Sequence, residues 1–432
     1  MHTPRAAFLI LLAACTAGGD SAAPAEAGLF TEDERTVIDA FTGLSAPADD
    51  PTNAVASDLD AARLGQWLFF DASLSSSGTV SCATCHDPEL GFSDGLALSE
   101  GLSETGRHSM SLWNTAYNRW FYWDGRCDTQ WCQALKPLEH PAEMGGSRLA
   151  IAHRLYADAE LKTAYEAVFG ALPDLSDTAR FPAEGRPVAD DPTDPLDVAW
   201  SSMASADQEA INVVFSRVGK SIAAYERLLL TGAAPFDDYA GVLQAEGEVA
   251  ARASGHLSDA AERGLKIVAG EGNCHFCHSG PGFTNGEFHN IGLADRDWLD
   301  SADTGRYEGI PQLLVEPFRG TGAYSDDPEA AAIKLDHLVQ GPEQLGQFKV
   351  PTLRNVAQSP PYMHGGQLET LEDVVRFYSE SEEEPVWGHR EELLVPLELS
   401  DEDIADVVAF LEALTGPGPA AALLVAPDSP LR

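Results

Sequence analysis

The sequence predicts a mainly α-helical protein of two modules of related design, packed together with long connecting loops. Three observations carry this expectation. Segments of helical periodicity recur along the chain, whereas strand-like alternation is scarce. A helix, a Cys-x-x-Cys-His run and a Gly-Phe-[Ser/Thr]-[Asp/Asn]-Gly turn occur together twice, as in an internal duplication. The chain has 432 residues, 44% of them hydrophobic, with eight tryptophans, enough for two domains with separate cores.

Each element has a local reason. Thr31 and Glu34 fit a capping box that opens a helix at "RTVIDAF". The amphipathic "LDAARLGQWLFF" leads into the first motif, "SCATCHDPELGFSDG", residues 81–95. Residues 171–206, rich in Pro, Asp, Ala and Ser, read as a long surface loop or insertion. In "INVVFSRVGKSIAAYERLLL", Ile211, Val214, Phe215, Val218, Ile222 and Leu229 recur at helical spacing. A small, polar stretch at 245–258 marks the expected boundary between domains 29–250 and 251–417. "LSDAAERGLKIVAG" then leads into the second motif, "NCHFCHSGPGFTNG", residues 273–286. Ser400 should cap a last helix in "LSDEDIADVVAFLEALTG", with Gly416 as its stop and 418–432 as a tail.

A net charge of −41 repels phosphate backbones and anionic lipid headgroups, which argues against a nucleic-acid partner. At the N-terminus Arg5 precedes an apolar run, Ala6 to Ala14, too short to span a bilayer. Leu12-Ala13-Ala14-Cys15 resembles the lipobox of bacterial lipoproteins. That resemblance implies cleavage before Cys15, a lipid on its thiol, and a flexible tether to residue 28. The folded body is then expected outside the cytoplasm, in the periplasm, held to the membrane only by that lipid.

Cys-x-x-Cys-His is the attachment signature of c-type haem. Two thiols at that spacing can form thioethers to both vinyl groups, and the next histidine falls under the iron. Cys82, Cys85 and His86 would hold one haem; Cys274, Cys277 and His278 the other. A zinc site shared by two Cys-x-x-Cys pairs is the competing reading, but zinc needs no histidine after each pair. Two cytochrome c-like haem domains are therefore expected. Residues 96–107 contain neither His nor Met, and His108 and Met110 read as packed side chains, so the first haem is expected to keep an open face.

Both motifs occur with "YWDGR…QALKPLEHPAEMG" and "FKVPTLRNVAQSPPYMHGG…TLEDVVRFY". Together they make residues 55–416 resemble the bacterial dihaem cytochrome c peroxidase and MauG family. The resemblance implies that Trp123 lies between the haems, that Gln133 and Glu143 sit on the open side of the first, and that Pro137 lines that pocket. Peroxide heterolysis needs a group that takes a proton from one oxygen and returns it to the other, a task a carboxylate can perform. Glu143 would be that group and Gln133 its positioning partner. For the second haem, methionine is the usual companion of histidine, and Met363 offers one. The family ligand instead follows "TLEDVV", where this chain has Tyr378; a phenolate favours oxidised iron. Calcium is the remaining cofactor the resemblance raises. The carbonyls of Ser359 and Pro361 match its donors, but His108 replaces the usual asparagine, and imidazole is a poor calcium ligand.

"LWNTAYNRWFYWDGR", "GEFHNIGL" and "GRYEGIPQLL" look closest to the MbnH-like subgroup of the MauG-like branch. The implied activity is hydrogen-peroxide-driven oxidation of a partner protein, at a tryptophan. Alternatives are a peroxidase fed by a small cytochrome or cupredoxin, and a non-enzymatic electron carrier. Cys127 and Cys132 lack a following histidine and read as a local disulfide or two packed thiols. For a disulfide, Asp128 or Thr129 would have to cap a helix so that Cys127 lies outside it.

Overall fold

The computed structural model describes residues 28–293, 303–380 and 385–431. The expected signal peptide, Cys15 and most of the tether lie outside the described residues. Among those described are fifteen α-helices and one two-stranded sheet. Helices α1 (Glu32–Ala40), α2 (Leu59–Phe70) and α3 (Cys82–Cys85) lead through the first motif. Helices α4 (Gln130–Glu139), α5 (Arg148–Ala157), α6 (Ala159–Phe169), α7 (Pro195–Ser201) and α8 (Ser205–Glu226) follow. Next come α9 (Pro235–Glu246), α10 (Glu248–Ser254) and α11 (Asp259–Ala269), ahead of the second motif. Helices α12 (Arg306–Val315), α13 (Pro328–Leu335), α14 (Leu371–Glu380) and α15 (Asp401–Glu412) complete the set. Strands β1 (Phe288–His289) and β2 (Phe348–Lys349) pair antiparallel, Phe288 opposite Lys349 and His289 opposite Phe348.

The caps form as the sequence suggests. Thr31 accepts from the Glu34 N–H while Glu34 accepts from the Thr31 N–H, and Ser400 and Asp403 repeat the arrangement on α15. Gly416 plays a different part from the expected stop. Helix α15 already ends at Glu412, and a side chain on Gly416 would strike the Gly232 carbonyl of the neighbouring loop.

Each motif helix is preceded by a helix that crosses another at a glycine. A Cβ on Gly65 of α2 would collide with the Ser221 carbonyl of α8; one on Gly264 of α11 would collide with the Asp406 carbonyl of α15. Only glycine permits backbones to approach so closely. The same crossing in both halves gives the internal repeat its structural meaning.

Two large apolar clusters follow from these crossings. The first joins Leu64 and Leu68 of α2 with Trp131, Leu135 and Leu138 of α4 and Ile222 of α8. The second joins Leu265 and Val268 of α11 with Phe410 of α15 and Val375 of α14. Helices α1 and α9 lie before the expected boundary at 245–258, yet Ile38, Phe41, Phe236 and Tyr239 pack in the second cluster. Composition marked a polar linker there but could not say which core the flanking helices would enter. Residues 171–206 differ from a surface loop. They contain α7, and Leu172, Leu175, Phe181, Trp200 and Met203 are buried in the first core. The tail also returns to the first module: Arg63 donates to the Ser429 and Leu431 carbonyls, and Gln66 to those of Ala422 and Val425.

Candidate active site

Each motif histidine is held the same way. His86 Nδ1 lies 3.1 Å from the Phe92 carbonyl and 3.1 Å from Ser109 Oγ. His278 Nδ1 lies 3.0 Å from the Phe283 carbonyl. Phe92 and Phe283 belong to the repeated Gly-Phe turn, and both adopt positive φ, 58° and 49°. That turn aims a carbonyl at the ring, and engagement of Nδ1 is the arrangement that presents Nε2 to a metal. Burial pushes both imidazoles below their ordinary pKa, His278 to about 4, so both rings are neutral donors.

His86 and Cys85 line a first cavity of about 410 Å³, together with Tyr122, Trp123, Gln133, Pro137 and Glu143. Helix α4 supplies two of these residues through a built-in defect. Pro137 has no N–H to donate to the Gln133 carbonyl one turn back. The Tyr122 hydroxyl donates to that carbonyl instead, at 3.2 Å. The defect thus ties α4 to the turn that carries Trp123. Glu143 lies just beyond α4, its carboxyl 3.3 Å from His140 Nδ1 and its side chain 23% exposed. Burial raises the Glu143 carboxyl above its ordinary range, opposed by His140 and Arg126. This makes it a stronger proton acceptor than an ordinary carboxylate.

His278, Cys274 and Cys277 line a second cavity of about 280 Å³, whose walls include Val268, Leu353, Val375 and Leu411. Tyr378 of α14 and Met363 both line it. Burial, with the nearby Cys277 and Cys274, raises the Tyr378 phenol. His289, also in the wall, pairs with Glu391 at 2.7 Å. The second cavity therefore unites two thiols, a neutral histidine and a largely apolar wall, and the first unites Cys85 and a neutral histidine with a more polar wall; both fit a c-type haem.

Trp123 lines both cavities, and its indole N–H donates to the His108 carbonyl at 3.0 Å. Beneath it, Arg107 bridges Asp124 at 2.6 Å and Asp303 at 2.7 Å, while Arg126 also pairs with Asp124 at 3.0 Å. The Cys127–Cys132 disulfide, with Cα atoms 5.8 Å apart, closes this turn. Thr129 caps α4 and leaves Cys127 outside the helix, as a disulfide requires.

His108, in the place of the usual asparagine, offers calcium no donor. His108 Nδ1 lies 2.7 Å from the Leu96 carbonyl and Nε2 3.4 Å from Ser93 Oγ, so both ring nitrogens are engaged. No group of three or more His, Cys, Asp or Glu side chains able to hold a metal ion occurs among the described residues. Residues not singled out from the sequence also enter the site: Tyr122, Arg126, His140, Glu226, His289 and Lys349. For His140 a signal existed, three residues before Glu143. The others come from turns, a strand pair and the end of α8, whose approach to the cavities no local pattern encodes.

Comparison with known proteins agrees with this geometry. The family model described as di-haem cytochrome c peroxidase matches residues 60–244. The chain is 32% identical to the methylamine utilization protein MauG of Methylorubrum extorquens, over 81% of this chain and 77% of that one. It is 30% identical to the cytochrome-c peroxidase IdrP1 of Denitromonas iodatirespirans, over 85% and 84%. Among solved structures, a MauG-like protein associated with microbial copper homeostasis superposes with a TM-score of 0.60 at 26% identity, covering 89% of this chain and 97% of that one. A repeated haem-binding motif, two cavities sharing one indole wall and these likenesses lead to one assignment: the chain belongs to the dihaem cytochrome c peroxidase and MauG family of haem-dependent oxidoreductases.

Proposed function

We propose that this peroxide-using oxidoreductase is of the MauG type: peroxide reacts at the first cavity, and the electrons come from a tryptophan of a partner protein. The observation that carries the reading is Tyr378, a tyrosine rather than a methionine, in the wall of the second cavity with His278. Likeness to a MauG-like protein associated with microbial copper homeostasis supports it and suggests a metal-binding partner. Met363, in the same wall, supports the second reading, a peroxidase fed by a small electron-transfer protein.

Haem, when bound through Cys82, Cys85 and His86, would supply an iron site at which peroxide takes two electrons, one from each haem. Glu143 would take the proton from one peroxide oxygen and return it to the other, which would leave as water. Gln133 holds the peroxide in line, Pro137 closes the pocket beside it, and Trp123 carries charge between the cavities. His278 and Tyr378 would hold the second haem, the phenolate favouring its oxidised form. Cys274 and Cys277 attach it. Export and a lipid on Cys15 would place the protein where c-type haem is attached.

The test adds one equivalent of peroxide to the diferric holoprotein without a donor. A long-lived spectral change in the bands of both haems is expected, and Tyr378→Phe should abolish it. Rapid return to the starting spectrum, with turnover only after pre-reduction, would replace this reading with the peroxidase one. An unchanged spectrum in Y378F would remove Tyr378 as ligand.

A further inference from the structure

Arginines at the cavity walls have acidic partners. Arg107 holds Asp124 and Asp303, Arg126 holds Asp124, and Arg354 holds Asp237. Lys349 has none. It is only 4% exposed, lines both cavities, and its side chain makes no hydrogen bond or ion pair among the described residues. Its place is fixed by the backbone: its N–H donates to the Trp123 carbonyl at 2.8 Å, and β2 pairs it with Phe288. Burial alone perturbs its ammonium, lowering it to about 8, and no carboxylate side chain is near enough to oppose that. At neutral pH the group therefore carries a charge, and a buried charge without a partner is strongly unfavourable.

We propose that Lys349 is a haem-anchoring residue whose ammonium pairs with a porphyrin carboxylate in the gap between the two cavities, beside Trp123. A haem in these cavities would bring its own anions, and Lys349 is the cation left for them among the described residues that line both. The pair joins cofactor to β2, and through the Trp123 carbonyl to the turn between the haems. A cation there destabilises the ferric state of whichever haem supplies the carboxylate, raising its potential. The inference rests on haem filling both cavities and deepens the proposed function. It is read from equilibrium potentials, so it stands or falls separately from the Tyr378 spectrum.

The test is a spectroelectrochemical titration of the holoprotein and of Lys349→Met. One haem should become about tenfold harder to reduce at fixed potential, a fall of roughly 59 mV for one electron. The haem that moves identifies the source of the carboxylate, and movement of both assigns a shared cation. Lys349→Arg should restore the wild-type values. Should K349M not load haem, Lys349→Gln keeps a polar chain without the charge and carries the same expectation. Midpoints of both haems unchanged on loss of the charge would overturn the proposal. The wild-type propionate-bending Raman band gives an independent reading: sensitivity to exchange into D₂O supports an N–H donor, and insensitivity overturns it.

Discussion

Replacing Glu143 by Gln removes one proton-transfer group and almost nothing else. The Glu143 main chain is held independently, its N–H donating to the His140 carbonyl at 3.1 Å and its carbonyl accepting from Leu102 at 3.0 Å. An amide of the same shape should therefore leave the fold and haem content intact. A positioned acid–base group contributes about 10²–10⁴-fold, or roughly 3–5 kcal/mol at about 1.4 kcal/mol per decade. The Glu143 side chain is 23% exposed, so water reaches the cavity and can relay part of the proton transfer. The expected loss then lies at the lower end, about 10²–10³-fold in the bimolecular rate with peroxide. Stopped-flow mixing of diferric holoprotein with excess peroxide measures it. The pH profile adds a second reading. Burial raises the Glu143 carboxyl, and the working form is the ionised one. The wild-type rate should therefore fall as pH drops through a range above that of an ordinary carboxylate, and E143Q should lose this limb. A variant within about threefold of wild type that keeps the limb would refute the role.

Further outcomes follow from the fold. Gly264→Ala gains about 1 kcal/mol of helix propensity but drives a methyl into the Asp406 carbonyl. Overpacking of roughly 1–3 kcal/mol should win, because a backbone atom cannot move aside; a melting temperature equal to wild type would contradict this. Opening the Cys127–Cys132 disulfide with paired serines frees a loop with a sequence separation of 5. The expected loss is about 2 kcal/mol, read by denaturant unfolding, with a weakened coupling between the two haems as Trp123 loosens.

Much of the fold was legible because its signals are local. Thr31 with Glu34 and Ser400 with Asp403 close their capping boxes within one turn, so the helix starts could be read directly. The repeated Gly-Phe turn was visible as a pattern, but its purpose was not: only in three dimensions does the Phe92 or Phe283 carbonyl meet the histidine ring. Residues 171–206 misled because their polar composition conceals five buried apolar side chains spaced too irregularly to show a period. The packing of α1 and α9 was hidden for a related reason. Phe41 at the end of α1 and Phe236 in α9 are ordinary apolar residues, and which of two cores receives them depends on long-range packing.

The sequence alone determined the chemical inventory: which thiols, which histidines and which candidate carboxylate are available to the site. Those are properties of residue type and short spacing, preserved in any fold. The tertiary structure decided which groups share a cavity. It brought Tyr122 to the carbonyl that Pro137 leaves unpaired, set Trp123 in the wall of both cavities, and left Lys349 buried without a carboxylate. Burial and pairing are relations between residues far apart in the chain, and only packing creates them.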